Sequence, residues 1–179
     1  LSWDAQKNVK DHVSDGVRTS YLYDSRNFPI ATITGAQQGE VFYEGFEEVT
    51  SATTGAARTG DRYHNYGTFN FATQGDFSLP SSTEFVMSYW YLEDNQWEFS
   101  GEVPFQNLIN KGEALDEIRA YRKGTLMTTY THRYGYGISS VTDPNGISQY
   151  YIYDDLGRLI QQKDQDGHTL QEYEYHYGN

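Results

Sequence analysis

The chain has 179 residues, a net charge of −12 and no cysteine. These features exclude disulfides and thiolate metal sites, and they argue against nucleic acid as a partner, because a phosphate backbone attracts basic surfaces. No stretch approaches the 18 apolar residues of a membrane span. Aromatic residues make up 16% of the chain, including 17 tyrosines. They can bury enough area for a core, so we expect a folded protein.

Two segments match each other at a spacing of 130 residues. Both 15–27 and 145–157 contain Asp-Gly or Asn-Gly, a β-branched residue and Tyr-x-Tyr-Asp, and they end in Asn27 and Gly157. Asp-Gly and Asn-Gly are strong signals for hairpin turns, and alternating tyrosines lie on one face of a strand. Asn and Gly both tolerate the left-handed conformation. We therefore predict a β-hairpin in each segment.

The last fifty residues continue this pattern. Glycines recur every 10 or 11 residues, at 146, 157 and 167, which is typical of an antiparallel meander. We predict strands at 158–163 and at 172–177, the latter with three tyrosines on one face. His132 and His176 follow strand patterns and are interpreted as packing residues.

The centre of the chain has a different composition. Its strongest strand signal is Phe85 to Leu92, which is apolar on both faces and is therefore expected to lie centrally in a sandwich. A turn at 93–95 leads to a strand at 96–99. Further strands are predicted at 117–121 and 126–130, with almost no helix anywhere.

Residues Gly146 to Leu159 read Gly-x4-Tyr-x-Tyr-Asp-x2-Gly-Arg-Leu. This pattern resembles the YD repeat of Rhs-type proteins. The wider chain resembles a subset of very large Rhs/YD-repeat proteins of the Bacteroidetes, through Pro29-Ile30-Ala31, Tyr89-Trp90 and the Asp-Glu-x-Arg element at 116–119. The resemblance implies β-sheet strips that coil into hollow shells, which in some relatives enclose a toxic domain. Since the chain begins at Leu1, we expect a fragment of a longer protein.

The centre also resembles jelly-roll carbohydrate-binding modules, through Phe46-Glu47 and Thr59-Gly60. The expected fold is therefore all-β, with a jelly-roll-like β-sandwich at 41–130 flanked by YD-repeat β-hairpins at 1–40 and 131–179. Because the flanking segments match, we expect them to pair in one sheet that carries the sandwich as an insertion.

The jelly-roll resemblance also implies a structural calcium ion, which would need six to eight oxygen ligands. The positions that match the ligands of such modules are Glu47, Thr59, Gly60, Asp61 and Asp116. The alternative is that the three acids among them are solvated surface groups.

Lectin-like sites stack sugar rings on exposed aromatic side chains, with polar groups for the hydroxyls. The candidates are Trp97, Tyr63, Tyr66 and Trp90. Trp97 follows a predicted turn among polar residues and is the strongest of the four. Core packing is the alternative for these side chains, Trp97 included, and above all for Trp90 in the middle of an apolar strand.

We expect no catalytic site. The adjacent acids Glu93/Asp94 and Asp154/Asp155 fall in predicted turns, where Asp bonds its own backbone. The five histidines lack the spacing of zinc ligands, and no Gly-x-Ser-x-Gly elbow is present.

The expected function is that of a non-catalytic structural and binding module in a large secreted or cell-surface bacterial protein. Its partners would be the rest of the same chain and glycans. The alternative is a wall segment of an Rhs shell that encloses a polymorphic toxin. A glycan-active enzyme is the weakest of the three hypotheses.

Overall fold

The computed structural model describes residues 1–74 and 84–176. Within these ranges the chain is all-β, with only two short 3₁₀ helices, at Gln38–Glu40 and Phe71–Thr73. This confirms the predicted fold class. The strands are β1 Ser2–Trp3, β2 Val9–Ser14, β3 Val17–Tyr23, β4 Pro29–Thr34, β5 Val41–Glu44, β6 Thr53–Thr54, β7 Arg62–Tyr63, β8 Thr68–Asn70, β9 Phe85–Glu93, β10 Gln96–Phe99, β11 Val103–Pro104, β12 Leu108–Asn110, β13 Ala114–Arg122, β14 Leu126–Arg133, β15 Gly137–Thr142, β16 Ser148–Tyr153, β17 Leu159–Lys163 and β18 Thr169–Glu172.

Nine of these strands form one long antiparallel sheet, in the order β1-β2-β3-β4-β14-β15-β16-β17-β18. Its two halves meet where β4 pairs with β14, with Ala31 opposite Thr129. The flanking segments therefore lie in one sheet, as their sequence match predicts. From the sequence, the strand at 126–130 was expected to belong to the sandwich. That assignment is wrong for β14, because both neighbours of this strand belong to the long sheet.

The two matching segments form hairpins in the same register. Four paired positions of β3 and β4 recur in β16 and β17 at an offset of 130, including the irregularity before the Tyr-Asp pair. Asn27 and Gly157 have φ of 68° and 78°. Oδ1 of Asp24 and Oδ1 of Asp154 each accept N–H bonds from residues two and four positions ahead, at 2.8–3.0 Å. An aspartate that satisfies its own turn in this way explains the Asp-x-x-Gly spacing.

The structure differs from the predicted hairpins in two details. Asp15 and Gly16 form a two-residue turn with φ of 51° and 79°, whereas Asn145-Gly146 belongs to a longer turn whose N–H groups bond Oδ1 of Asp143. The last strand is β18, which ends at Glu172 rather than continuing to 177. Tyr177 lies outside the described residues.

A second sheet, here called the middle sheet, has the order β10-β9-β13-β5, and β11 also pairs with β9. Each face of the middle sheet packs against a separate hydrophobic core. On one face Met87 and Ile118 join a core with Phe69 of β8. On the other face, Val86 and Tyr121 join a core that includes Ile33 and Met127 of the long sheet. Strand β9 is therefore central and apolar on both sides, as predicted.

A β-bulge in β13 controls which side chains face the long sheet. The register shifts between Asp116 and Arg119, and Glu117 has a left-handed φ of 51°. Leu115 and Ile118 both join the core on the far face although they are three positions apart. An extra residue in a strand has this effect. It directs Asp116, Glu117 and Arg119 together toward the long sheet.

Candidate site at the junction of two sheets

A cleft of about 620 Å³ opens where the middle sheet meets the long sheet. Residues from five separate segments line it. β9 and β10 supply two tryptophans, and β16 of the long sheet supplies a tyrosine. The lining residues are Ala57, Arg58, Trp90, Gln96, Trp97, Tyr150, Gln165, Asp166 and Gly167.

Trp90 forms the floor of the cleft. Its side chain packs against Phe99 with 5.2 Å between ring centroids, and only 8% of Trp90 is exposed. The Arg58 guanidinium lies 3.9 Å above the indole ring. Within the described residues the indole Nε1 has no hydrogen-bond partner. The core interpretation therefore holds for Trp90, although one face of the ring supports a residue of the cleft.

Trp97 forms a wall and is held in a defined orientation. Its Nε1 donates to the carbonyl oxygen of Ala56 at 3.0 Å. The Tyr63 ring meets the indole edge to face, with 5.9 Å between centroids. Trp97 is half-buried, so part of the ring surface stays open to the solvent. A fixed, partly exposed indole is a preorganised stacking surface.

Arg58 is anchored by its backbone rather than by its side chain. Its N–H donates to Oδ2 of Asp116 at 2.9 Å, and its carbonyl accepts the Tyr150 hydroxyl at 2.6 Å. The guanidinium carbon lies 5.6 Å from the centre of the Tyr150 ring. In the described parts of the chain, no carboxylate forms a salt bridge with this guanidinium. Burial lowers the pKa of Arg58, against the opposing effect of nearby acids.

A buried polar cluster lies behind the cleft. Glu117 and Arg119 form an ion pair of 2.7 Å, with both side chains 1% exposed. The Thr129 hydroxyl donates to Oε2 of Glu117 at 2.7 Å, and the Tyr43 hydroxyl donates to Oε1 at 2.8 Å. Arg119 also donates to the carbonyl of Asp143 at 2.9 Å. The cluster thus ties the middle sheet to β14 and to a turn of the long sheet.

The adjacent acids of this cluster have opposite pKa shifts. Burial raises the pKa of Asp116 well above its usual value, and the charge of Glu117 adds to the effect. Burial also opposes ionisation of Glu117, but the Arg119 charge and the hydrogen bonds outweigh it, so that the pKa of Glu117 is lowered. Both side chains are fully buried, so they form part of the structural core and not an accessible acid–base pair.

The residues predicted to bind calcium do gather near one loop. Oε1 of Glu47 accepts N–H bonds from Asp61 and Arg62, each at 3.0 Å. Asp116 accepts three backbone N–H bonds, from Arg58, Thr59 and Glu117. Thr59 directs its hydroxyl to Glu117 and not to an open site. Calcium needs oxygen atoms that face it, whereas here N–H groups face both carboxylates. This donor set does not fit the ion.

The sugar-binding candidates are only partly brought together. Trp90 and Trp97 line the cleft, and Tyr63 supports Trp97. Tyr66 lies apart, 67% exposed and in contact with His64. Four cleft residues were not predicted from the sequence, because they lie far from the tryptophans along the chain: Arg58, Tyr150, Gln165 and Asp166. The one signal near them was the recurring glycine at 167, which follows Asp166 in the predicted meander.

The structure assigns a turn to Asp94 and confirms one of the two histidines that were interpreted as packing residues. Asp94 and Asn95 form the turn between β9 and β10, with φ of 51° and 62°. His132 stacks on Phe28 and bonds the carbonyl of Pro29, so it is a packing residue. His176 is not: it lies beyond β18 and is exposed.

One group of potential metal ligands is present in the described ranges, at Asp164, Asp166 and His168. Its hydrogen bonds are those of the hairpin turn, since Oδ1 of Asp164 accepts the N–H of Asp166 and of His168, both at 2.9 Å. The group therefore has a structural explanation without an ion.

The fold and the cleft define an antiparallel all-β protein with an aromatic site between two sheets. A scan against protein-family models found no match, and a search of curated proteins found none either. No helix in ranges 1–74 and 84–176 has the length and apolarity to cross a bilayer.

Proposed function

We propose that this chain is a non-catalytic binding module of a large YD-repeat protein, secreted or at the bacterial cell surface, and that its cleft binds glycans. The observation that carries the proposal is the position of Trp97: a half-buried indole, fixed by Ala56 and Tyr63, on the wall of a cleft of about 620 Å³. Rigid aromatic surfaces of this kind stack against the apolar face of a pyranose ring.

The other side chains of the cleft suit the hydroxyl groups of a sugar. Gln96 and Gln165 offer amide donors and acceptors, and Asp166 offers a carboxylate. All three are exposed, so their hydrogen-bonding capacity is available to a ligand. The volume falls within the range of about 300–1,000 Å³ that is typical of small-molecule sites.

The long sheet supports the YD-repeat part of the proposal. The Tyr-Asp segments form hairpins in identical register, and their aspartates make the same turn bonds. The hydroxyls of Tyr23 and Tyr153 each donate to a carbonyl of the preceding strand, at 3.1 and 2.8 Å. A strip built from such units needs no catalytic group.

The test is a glycan array followed by titration of the ligands it finds. Trp97→Ala is expected to remove binding, because the stacking surface is lost. Trp3→Ala is the matched control, since Trp3 is 57% exposed and lies at the far edge of the long sheet. Equal binding by both variants, or no binding by the unmodified protein, would contradict the proposal.

A second candidate function is a wall segment of a shell that encloses a toxin. It is favoured by the ends of the long sheet, where β1 and β18 each pair on one side only among the described strands. Such edges can continue a strip through further repeats. In that case the cleft binds no glycan, and the array separates the two functions.

A further inference from the structure

The cleft contains a largely buried cation that no carboxylate of the described residues contacts directly. Only 8% of Arg58 is exposed, yet its guanidinium makes no salt bridge or hydrogen bond to any described residue. It is held between the rings of Trp90 and Tyr150, at 3.9 and 5.6 Å from their centroids. Removing a charge from water without a partner is costly. The nitrogen atoms of Arg58 are not among the buried unpaired side-chain atoms of the described residues, so the guanidinium reaches the open cleft, where an anionic group of a ligand can pair with it.

Among the described residues, Glu117, Asp116 and Asp166 each raise the pKa of Arg58 through their charge, but none of them pairs with its guanidinium directly. Glu117 is paired with Arg119, and Asp116 is occupied by three backbone N–H groups. Asp166 is near enough to affect the pKa of Arg58, but it is exposed on the rim of the cleft and makes no ion pair with it. The guanidinium therefore remains open toward the space beside Trp97.

We propose that the ligand is an anionic saccharide, with the carboxylate of a uronic-acid residue on Arg58 and a pyranose ring on Trp97. The inference rests on the proposed glycan-binding function. A guanidinium presents a planar fork of donors that matches a carboxylate, and the two aromatic rings hold that fork in place. Because the chain has a net charge of −12, the selectivity comes from this local contact and not from long-range attraction.

The experiment compares an oligogalacturonate with its fully methyl-esterified form of equal length, by titration calorimetry. The acid is expected to bind about tenfold more tightly than the ester, as for a charge-assisted hydrogen bond. Arg58→Gln is expected to abolish the preference, so that the acid and the ester bind this variant with equal affinity. Asp166→Asn is expected to increase the preference for the acid over the ester, because it removes a like charge from the rim.

Arg133→Gln is the matched control. Arg133 also lies over a tyrosine ring, at 4.2 Å from the centroid of Tyr136, but outside the cleft, so the variant removes the same charge and is expected to change neither affinity. Arg58→Lys is expected to keep part of the preference for the acid. If Arg58→Gln does not fold, the inference is tested with Arg58→Lys and Asp166→Asn. If both of these variants prefer the acid over the ester as strongly as the unmodified protein does, the inference is overturned.

The remaining outcomes separate the two proposals. Equal binding of acid and ester overturns the inference and leaves the glycan-binding function in place. A sulfated oligosaccharide that binds while the galacturonate does not overturns the carboxylate assignment. If no saccharide on the array binds, both proposals fail.

Discussion

The guanidinium of Arg119 and the carboxylate of Glu117 form an ion pair of 2.7 Å in a place where neither side chain contacts the solvent. The pair lies between the two large sheets, and Thr129 of the long sheet bonds both partners. Burial makes such a pair sensitive to the loss of one member, since the other becomes an uncompensated charge.

Arg119→Met is therefore expected to lower the free energy of unfolding by about 3–5 kcal/mol, measured by urea denaturation. The matched control is Arg122→Met in the same strand. Arg122 pairs with Glu40 and Glu84, but its side chain is 42% exposed, so a much smaller loss of stability is expected, because the solvent screens this pair. Equal losses in the two variants would contradict the dominant role of the buried pair.

The raised pKa of the Glu47 carboxyl predicts that the stability of the protein depends on pH. Its burial raises its pKa from 4.5 to about 7, against the N–H bonds that it accepts. Between these values the folded protein keeps a proton that the unfolded chain releases, so the free energy of unfolding falls as the pH rises from 4.5 to 7. The expected fall is about 1–2 kcal/mol after solvent screening.

Denaturation at several pH values checks this prediction. Glu47→Gln cannot titrate and is expected to flatten the slope in that window. The control is Glu98→Gln, at an exposed position on β10, which is expected to leave the slope unchanged. Asp116, with a raised pKa, acts in the same direction as Glu47, so some slope should persist. A profile of Glu47→Gln identical to that of the unmodified protein would disprove the assignment.

Calcium is expected to have no effect on thermal stability. The carboxylates of Glu47 and Asp116 are occupied by backbone N–H groups, which repel a cation. Melting curves in chelator and in millimolar calcium should agree within about one degree, whereas saturation at a hundredfold excess over Kd would add about 2.7 kcal/mol. A shift of several degrees that Glu47→Gln abolishes would restore the calcium site predicted from the sequence.

Substitution of Gly146 by alanine tests the contact between the middle sheet and the long sheet. A Cβ at this position would lie 2.6 Å from the Phe99 ring, whereas the nearest side-chain atom at Gly157 is 3.9 Å away. The two glycines have similar φ, 82° and 78°, so backbone strain is matched. Gly157→Ala is expected to cost about 1–2 kcal/mol, and Gly146→Ala a further 1–3 kcal/mol from overpacking. Equal costs in urea denaturation would show that the Phe99 contact is easily displaced.

The hairpin turns and the faces of the strands could be predicted from the sequence, because the interactions that determine them are local. Asp154 bonds N–H groups within four residues, and Gly157 supplies the positive φ that this turn requires. The alternation along β9 likewise assigns Met87 and Val86 to opposite cores. No distant residue is needed for either prediction.

The site itself required the tertiary structure. The Tyr150 hydroxyl bonds the Arg58 carbonyl across 92 positions of sequence, and neither residue has a local pattern that indicates a cleft. The bulge at Glu117 reverses the alternation of β13, so a strictly alternating pattern assigns Asp116 and Glu117 to opposite faces. β14 joins the long sheet because its apolar residue Met127 finds its core there. Which sheet a strand joins depends on the packing of side chains that are distant in the sequence. The residues around the strand therefore do not determine which sheet it joins.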